Sequence, residues 1–332
     1  MAERDCRDIT TRYGFLALLI TAIVVGIPAH GAETYFTRPV RLVVPFPPGG
    51  GNDALGRLVA DRMGSALGQR VTVDNRAGAG GSVGAREVIR SNADGYTLLL
   101  GHTGSLGMTP HLYHHAGYDP RRDLAPIGLI GRIPLVMVVH AQAPVRTMKQ
   151  FVDLARIAPG KLNYGSGGAG SGSHLAAELF AFTTGIRLTH VPYKGTAQTV
   201  TGLLAREIDT LFSVVPPVRA HVEAGTLRAL ALTSPERSPA LPGVPTAAEE
   251  GLPGFEAVLN YGVAAPAGTP SRVLARLNAE LNAALATAAA RNVLVTEGVT
   301  PQPGTSARYG AVIAQDFEKW GEVIRKSGAR VD

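Results

Sequence analysis

Two stretches of the chain set bare backbone at the mouth of a helix. In "PFPPGGGNDALGRLVADRMG" (45–64), Pro47, Pro48 and three glycines stand directly before an amphipathic run. In "NYGSGGAGSGSHLAAELF" (163–180), glycines and serines lead into a second helical run that opens near His174. Glycine lets main-chain N–H groups approach a ligand closely, because no side chain intervenes. A helix N-terminus leaves its first N–H groups unpaired and carries partial positive charge. Both features suit an anion: phosphate, sulfate or carboxylate. His174 can donate to that anion or simply cap and pack, and the sequence leaves both open.

Three other motifs point to different chemistry and lack their partners. "GSGGAG" (165–170) fits G-x-G-x-x-G between a strand and a helix. A dinucleotide site also wants an acidic residue about 20 positions on, and "RLTHVPYK" (187–194) has none. "GGSVG" (80–84) fits the nucleophile elbow and would make Ser82 a hydrolase nucleophile, but that serine must sit on the turn straight off a strand. Here "RAGAG" intervenes. "HLYHH" (111–115) offers His111, His114 and His115 without a suitably spaced carboxylate, which leaves solvated loop histidines rather than a metal site. No cofactor or metal is expected.

The elements that position these turns alternate. "VRLVVPF" (40–46) is a strand, followed by a helix from about Asp53 to Leu67, a strand at 70–75, a helix at 85–91 and a strand at 96–102. This β-α-β-α-β order predicts a parallel sheet with helices on both faces. "APIGLIGRIPLVMVVH" (125–140) is a long apolar segment that Gly131 and Pro134 break. The pattern then restarts: helix 148–159, strand 161–166, helix 173–185, strand 187–193, helix 196–207, strands 208–214 and 227–233. A strand at 257–268 and two C-terminal helices, 270–298 and 306–328, complete it. Ligands of open α/β sheets lie beyond the carboxyl ends of the strands, so two such lobes face to face point two helix mouths into one cleft.

Composition agrees. The 332 residues are 45% hydrophobic and 17% charged, enough for a substantial core. The net charge of +6 comes without basic runs interleaved with aromatics, so nucleic acid is not an expected partner. Arg4, Arg7 and Arg12 precede an apolar stretch of about fifteen residues that ends in small ones, the layout of a cleavable export signal. It is short for a bilayer span of about 20 residues. Ala29 and Gly31 fit a cut after Gly31. The single cysteine, Cys6, lies inside that leader, so the exported protein has no thiol or disulfide.

"RPVRLVVPFPPGGGNDALGRLVADRM", "VTVDNRAGAGGSVGAREV", "DGYTLLLGHTGSLGMTPHLY", "PGKLNYGSGGAGSGSHLAAELF", "THVPYKGTAQTVTGLLAREID" and "LPGVPTAAEEGLPGFEA" together resemble the Bug/TctC proteins, the extracytoplasmic solute receptors of tripartite tricarboxylate transporters. The resemblance runs in order along the whole chain after the leader. It implies a two-lobe periplasmic-binding-protein fold of α/β class, each lobe a mostly parallel or mixed sheet flanked by helices, with the ligand in the cleft between lobes. It places a signal peptide at 1–32, one lobe at 33–130 plus 256–332 and the other at 131–255.

The resemblance also implies a small carboxylate-bearing solute: a dicarboxylate, tricarboxylate, aromatic carboxylate or amino acid. Phe46, Pro48, Gly49, Gly50 and Asp53 map to one wall, and Ser166, Gly167, Ser171, Ser173 and His174 to the other. Tyr193 of "VPYKG" and Asp209 map beside them. Asp53 can accept from a ligand hydroxyl or ammonium, or N-cap its helix; the two roles are compatible. His102 and Thr103 depart from the small polar pair usual after the third strand, which bears on the solute accepted. The implied protein is a monomeric, non-enzymatic periplasmic receptor with a tripartite tricarboxylate-type permease as partner. A secreted hydrolase using Ser82 or Ser171, and an accessory protein that presents its ligand to a membrane signalling system, are the competing readings.

Overall fold

Strands and helices alternate along the chain because β-branched runs and amphipathic runs alternate in the sequence. In a computed structural model, the described residues are 35–49, 51–328 and 331; the leader and Gly50 lie outside them. Strand β1 (Val40–Val44), helix α1 (Gly51–Leu67), β2 (Val71–Asn75), α2 (Ser82–Ile89) and β3 (Thr97–His102) form the first series. β1 pairs in parallel with both β2 and β3. β4 (Leu124–His140) follows. The second series is α3 (Met148–Ile157), β5 (Asn163–Ser166), α4 (Gly172–Thr184), β6 (Thr189–Pro192), α5 (Thr196–Leu204), β7 (Thr210–Val214), α6 (Val215–Glu223) and β8 (Leu227–Leu232). β9 (Val258–Pro266), α7 (Ser271–Ala286), α8 (Ala288–Thr296), β10 (Thr300–Pro301) and α9 (Ser306–Ser327) close the chain.

The strand order is β2-β1-β3-β9-β4-β7-β5-β6, with β8 and β10 also on β4. β4 is therefore the shared strand. Up to Pro134 it pairs with β9, antiparallel, in one sheet. From Leu135 it pairs with β7 in the other. Each half has its own core: Val43, Leu99, Leu129, Tyr309 and Ile313 in the first, Val136, Leu203, Leu211, Val218 and Leu232 in the second. The fold is the two-lobe α/β class with mixed rather than wholly parallel sheets.

Three expectations are corrected. Residues 125–140 are not broken: Gly131 lies where a Cβ would meet the Thr300 carbonyl at 2.5 Å, so glycine there admits β10, and Pro134 sits at the change of sheet. The expected helix 270–298 is two helices, because Thr287 is extended and its side chain caps Ala290 N–H. Helix α6 is absent from the sequence pattern, since Pro216 and Pro217 read as breakers; both sit in its first turn, where a missing N–H costs nothing.

Candidate functional site

The first turn joins β1 to α1 beyond the carboxyl end of the strand. Helix α1 starts at Gly51, two residues before the expected position, so Asp53 is its third residue and not its cap. Its carboxylate reaches back past the start of the helix and accepts the Gly49 N–H at 3.0 Å. Arg57 Nε donates to the same oxygen at 3.0 Å. Asn75 Nδ2 donates to the other at 3.0 Å and to the Phe46 carbonyl at 3.1 Å. Asp53 is 4% exposed. The Gly49 N–H, then Arg57, hold its carboxyl below the usual range against the opposing effect of burial, with Asn75 contributing less. Gly49 has φ +85°, with open space where a Cβ would stand. Pro48 is exposed beside it.

Phe46 stacks on His102 at 4.6 Å, and His102 leans on Tyr261 of β9 at 5.1 Å. Gly81, in the loop before α2, approaches this cluster, its Cβ position 3.4 Å from the Phe46 ring and 3.0 Å from Ser105. His102 Nδ1 accepts from the Gly104 N–H at 2.6 Å. Burial presses its pKa down to about 4. Thr103 is turned away into a separate network. It donates to Asp316 at 2.6 Å and accepts from the Asn260 N–H at 2.8 Å, while Asn260 also donates to Asp316.

The second turn joins β5 to α4 and is held by hydroxyls. Ser166 Oγ donates to the Gly168 carbonyl, accepts from the Gly168 N–H and meets His190 Nε2 at 2.7 Å. Gly167 N–H donates to Ser173 Oγ at 3.1 Å, and Ser173 Oγ meets Ser171 Oγ at 2.9 Å. Ser171 N-caps α4 by accepting from the His174 N–H. His174 Nδ1 accepts from the Gly170 N–H at 3.1 Å, so both readings of His174 stay compatible: it locks the turn through one nitrogen and keeps the other. Its ring stacks on His190 at 4.2 Å, and His190 on Tyr164 at 4.9 Å. Burial first, then the His190 ring, push His174 down to about 4. The N–H groups of Gly172 and Ser173 have no partner among the described residues.

Ser166, Gly167, Ser171, Ser173 and His174 thus form one unit, and Phe46, Gly49, Asp53 and His102 cluster at the first turn. Tyr193 joins only through its backbone, N–H to the Ser166 carbonyl at 2.9 Å; its ring lies over Gly202, with the hydroxyl on Glu207. Asp209 stands apart. It precedes β7 and accepts from the Asn163 N–H at the start of β5, the opposite end of that strand from Ser166. His190, Asn75 and Gly81 lie within the stretches quoted above without marking themselves as site residues, and Tyr261 lies outside them.

The decoy motifs resolve as well. Ser82 Oγ is enclosed and accepts or donates no hydrogen bond among the described residues, so no base is bonded to it, and Ser171 is the cap described above. His111 is not solvated: its Nε2 meets the Phe317 carbonyl at 2.9 Å and its ring packs on Phe317 of α9. His114 and His115 are exposed. Among the described residues there is no cluster of three or more His, Cys, Asp or Glu side chains placed to hold a metal ion. A cavity of about 520 Å³ lies between Ala79, Ser82, Arg86, Tyr113–His115 and Val331.

Comparison with known proteins decides the family. The family model of the tripartite tricarboxylate transporter family receptor, TctC, matches residues 55–329. The chain belongs to this family. Protein BugT of Bordetella pertussis is 35% identical over 325 residues, 98% of this chain and 99% of BugT. Among solved structures, Rpa4515 of R. palustris with adipate is 35% identical with TM-score 0.78, covering 89% of this chain and 99% of that one. The periplasmic binding protein BugD is 33% identical at TM-score 0.76, covering 89% and 99%. MatC of Rhodopseudomonas palustris with bound malate is 30% identical at TM-score 0.76, covering 87% and 99%. This TctC chain is accordingly a solute-binding receptor and not a hydrolase.

Proposed function

We propose that this TctC receptor works in the periplasm, after removal of residues 1–32, and captures a small carboxylate-bearing solute between its lobes for a tripartite tricarboxylate-type permease. The observation that carries the reading is the second turn. Its serine hydroxyls and the Gly167, Gly168 and Gly170 N–H groups are spent on one another. That leaves the Gly172 and Ser173 N–H groups at the mouth of α4 and the His174 Nε2–H as donors. Neutral donors hold a carboxylate without the desolvation penalty of an interior ion pair. The bound adipate and malate in two of its relatives support the same chemistry.

We propose two lobes close to the limits 33–130 plus 256–332 and 131–255, with the crossovers a few residues further on, between Pro134 and Leu135 and before Val258. The Phe46, Gly49 and His102 wall closes against the second turn. A thermal-shift screen over mono-, di- and tricarboxylates and amino acids tests the ligand class: a solute at 100 times its Kd raises stability by about 2.7 kcal/mol. A screen in which only non-acidic solutes stabilise the protein overturns the reading. Uptake of the identified acid in a strain lacking this gene tests the permease link, and N-terminal sequencing of the exported protein tests the cut.

A further inference from the structure

The ring of His102 is held by three constraints. It ends β3, whose backbone pairs there with Tyr261 of β9. It lies between the Phe46 ring at 4.6 Å and the Tyr261 ring at 5.1 Å. Its Nδ1 accepts the Gly104 N–H at 2.6 Å, and the fit is close enough that a Cβ on residue 104 would stand 2.2 Å from His102 Cε1.

An Nδ1 that accepts a backbone N–H puts the ring proton on Nε2. Rotating the ring to exchange the nitrogens breaks the Gly104 bond and leaves a buried N–H unpaired, at a cost. So Nε2–H is a donor of fixed identity and direction. It has no partner among the described residues. Nor is it sealed: the enclosed, unpartnered side-chain atoms are Asn52 Oδ1, Arg62 Nε, Ser82 Oγ and Trp320 Nε1. The remaining 8% exposure of His102 therefore includes this atom. The ring that carries it stacks on Phe46, on the wall of the first turn. No charged side chain tunes the ring, whose pKa is lowered by burial alone, and it is neutral at neutral pH.

We propose that His102 is the specificity residue of this receptor: its Nε2–H donates to an oxygen at the end of the solute remote from the second turn. The assignment rests on the carboxylate reading above and narrows it. A fixed donor gains a bond from a carboxylate, carbonyl or ether oxygen. A methyl group leaves the donor buried and unpaired, and an ammonium sets donor against donor. The solute is then an acid carrying a second oxygen acceptor at its far end, and a cationic amine at that position is rejected.

Three acids of one length isolate the far group: adipate, hexanoate and 6-aminohexanoate. A second set, succinate, butanoate and 4-aminobutanoate, covers a shorter solute. In calorimetry on the full receptor, within the set that fits, the diacid should bind at least about tenfold tighter than the monoacid, the scale of one hydrogen bond to a charged acceptor. The amino acid should bind most weakly. His102→Leu should bring the diacid to within about threefold of the monoacid, by weakening the diacid and relieving the monoacid of an unpaired donor, and His102→Gln, which keeps a donor, should restore most of the preference. If His102→Leu weakens diacid and monoacid alike, the ring merely packs and the proposal fails. It also fails if the wild type does not distinguish the three far groups. Should none of the six acids bind a protein that melts normally, this assignment falls, while the carboxylate reading stands or falls by the thermal-shift screen. Nitrogen NMR of the free protein gives an independent check: a neutral Nδ1–H tautomer at His102 overturns the argument.

Discussion

In the first glycine turn a carboxylate holds the backbone in place, and in the second hydroxyls do. Asp53 spends its two oxygens on Gly49, Arg57 and Asn75, so a full negative charge is stored beside a wall meant for an anion. Ser166, Ser171 and Ser173 fix the second turn with no net charge. Each turn ends against a buried histidine whose Nδ1 takes a backbone N–H, from Gly104 for His102 and from Gly170 for His174. The difference indicates a division of labour. On the proposed reading, the uncharged turn offers unspent N–H groups to the carboxylate, while the charged one is a brace that sets the shape of the opposite wall.

The contrast fails most visibly at Gly168. Its φ of +123° is a conformation that L side chains rarely adopt, and both its N–H and its carbonyl are tied to Ser166 Oγ. Gly168→Val should lose at least about a hundredfold in carboxylate affinity by calorimetry, because the donors at α4 are no longer aligned. Gly167→Val is a weaker perturbation. A Cβ there meets nothing closer than Thr196 N at 3.5 Å.

Acid should loosen both walls through their histidines. His102 and His174 are pressed from 6.5 to about 4 in the folded protein. Between those values the unfolded chain binds protons that the folded chain refuses, so stability rises with pH there. The contribution of the neutral rings is complete above pH 6.5 and is lost as pH falls toward 4. Each tenfold difference in proton affinity between the folded and unfolded chain is worth about 1.4 kcal/mol. The two histidines together should therefore cost several kcal/mol across that window. Asp53, held below its ordinary value, begins to contribute only in stronger acid. Asp316 acts with opposite sign, since burial raises its pKa and protonation relieves it as pH falls. Melting curves from pH 7.5 to 4.5 should show the decline, and the double variant His102→Phe, His174→Phe should remove most of it, leaving the part due to His111 and His190, which burial also lowers.

The brace itself is tested by Asp53→Ala. Removing the carboxylate leaves the Gly49 N–H without its acceptor and Asn75 Nδ2 with the Phe46 carbonyl alone, which should cost about 1–3 kcal/mol of stability in urea unfolding. Affinity should fall less than in Gly168→Val. If Asp53→Ala abolishes binding at unchanged stability, Asp53 contacts the ligand and the division of labour is wrong.

Much of this arrangement is legible in the sequence because local rules decide it. The alternation of apolar runs and amphipathic runs places β1–α1 and β5–α4, and glycine with proline or serine marks each turn. What escapes is what depends on distant chain. Pro134 reads as a break in the strand, yet it is tolerated because the pairing partner changes there from β9 to β7. Thr103 reads as a ligand contact from its place after β3, but Asp316, 213 residues away, claims its hydroxyl. Asp209 reads as near the site until the start of β7 is known. It stands just before the strand's first residue, at the wrong end of the sheet. His190 carries no local signal, since stacking between Tyr164 and His174 needs three elements to meet.

Ser171→Ala should sit between the brace and the surface in effect. Losing an N-cap hydroxyl costs about 1 kcal/mol of stability. It also frees Ser173 Oγ from one of its partners, so a loss of several-fold in affinity should accompany it in calorimetry.

The smallest effect is expected at Arg57, and it separates the two turns most cleanly. Arg57 is the one cation bonded to the first turn's carboxylate, donating to Asp53 across one helical turn with a side chain 60% exposed. If the receptor held its ligand by a salt bridge, this guanidinium would be the natural candidate at α1. The geometry argues otherwise: its Nε is engaged by Asp53 at 3.0 Å, and the residue lines a groove over Ala60, Gly64, Ser65 and Arg70–Val73 on the outer side of α1. An exposed pair of this kind contributes less than about 1 kcal/mol, since water and salt screen it. Asp53 keeps the Gly49 and Asn75 bonds when Arg57 is removed. Arg57→Ala should therefore leave carboxylate affinity within about twofold of wild type, with a small loss of stability that fades at high salt. A collapse of binding in this variant, beside near-normal binding by Gly168→Val, would mean that a side-chain cation and not the main chain of the second turn holds the ligand.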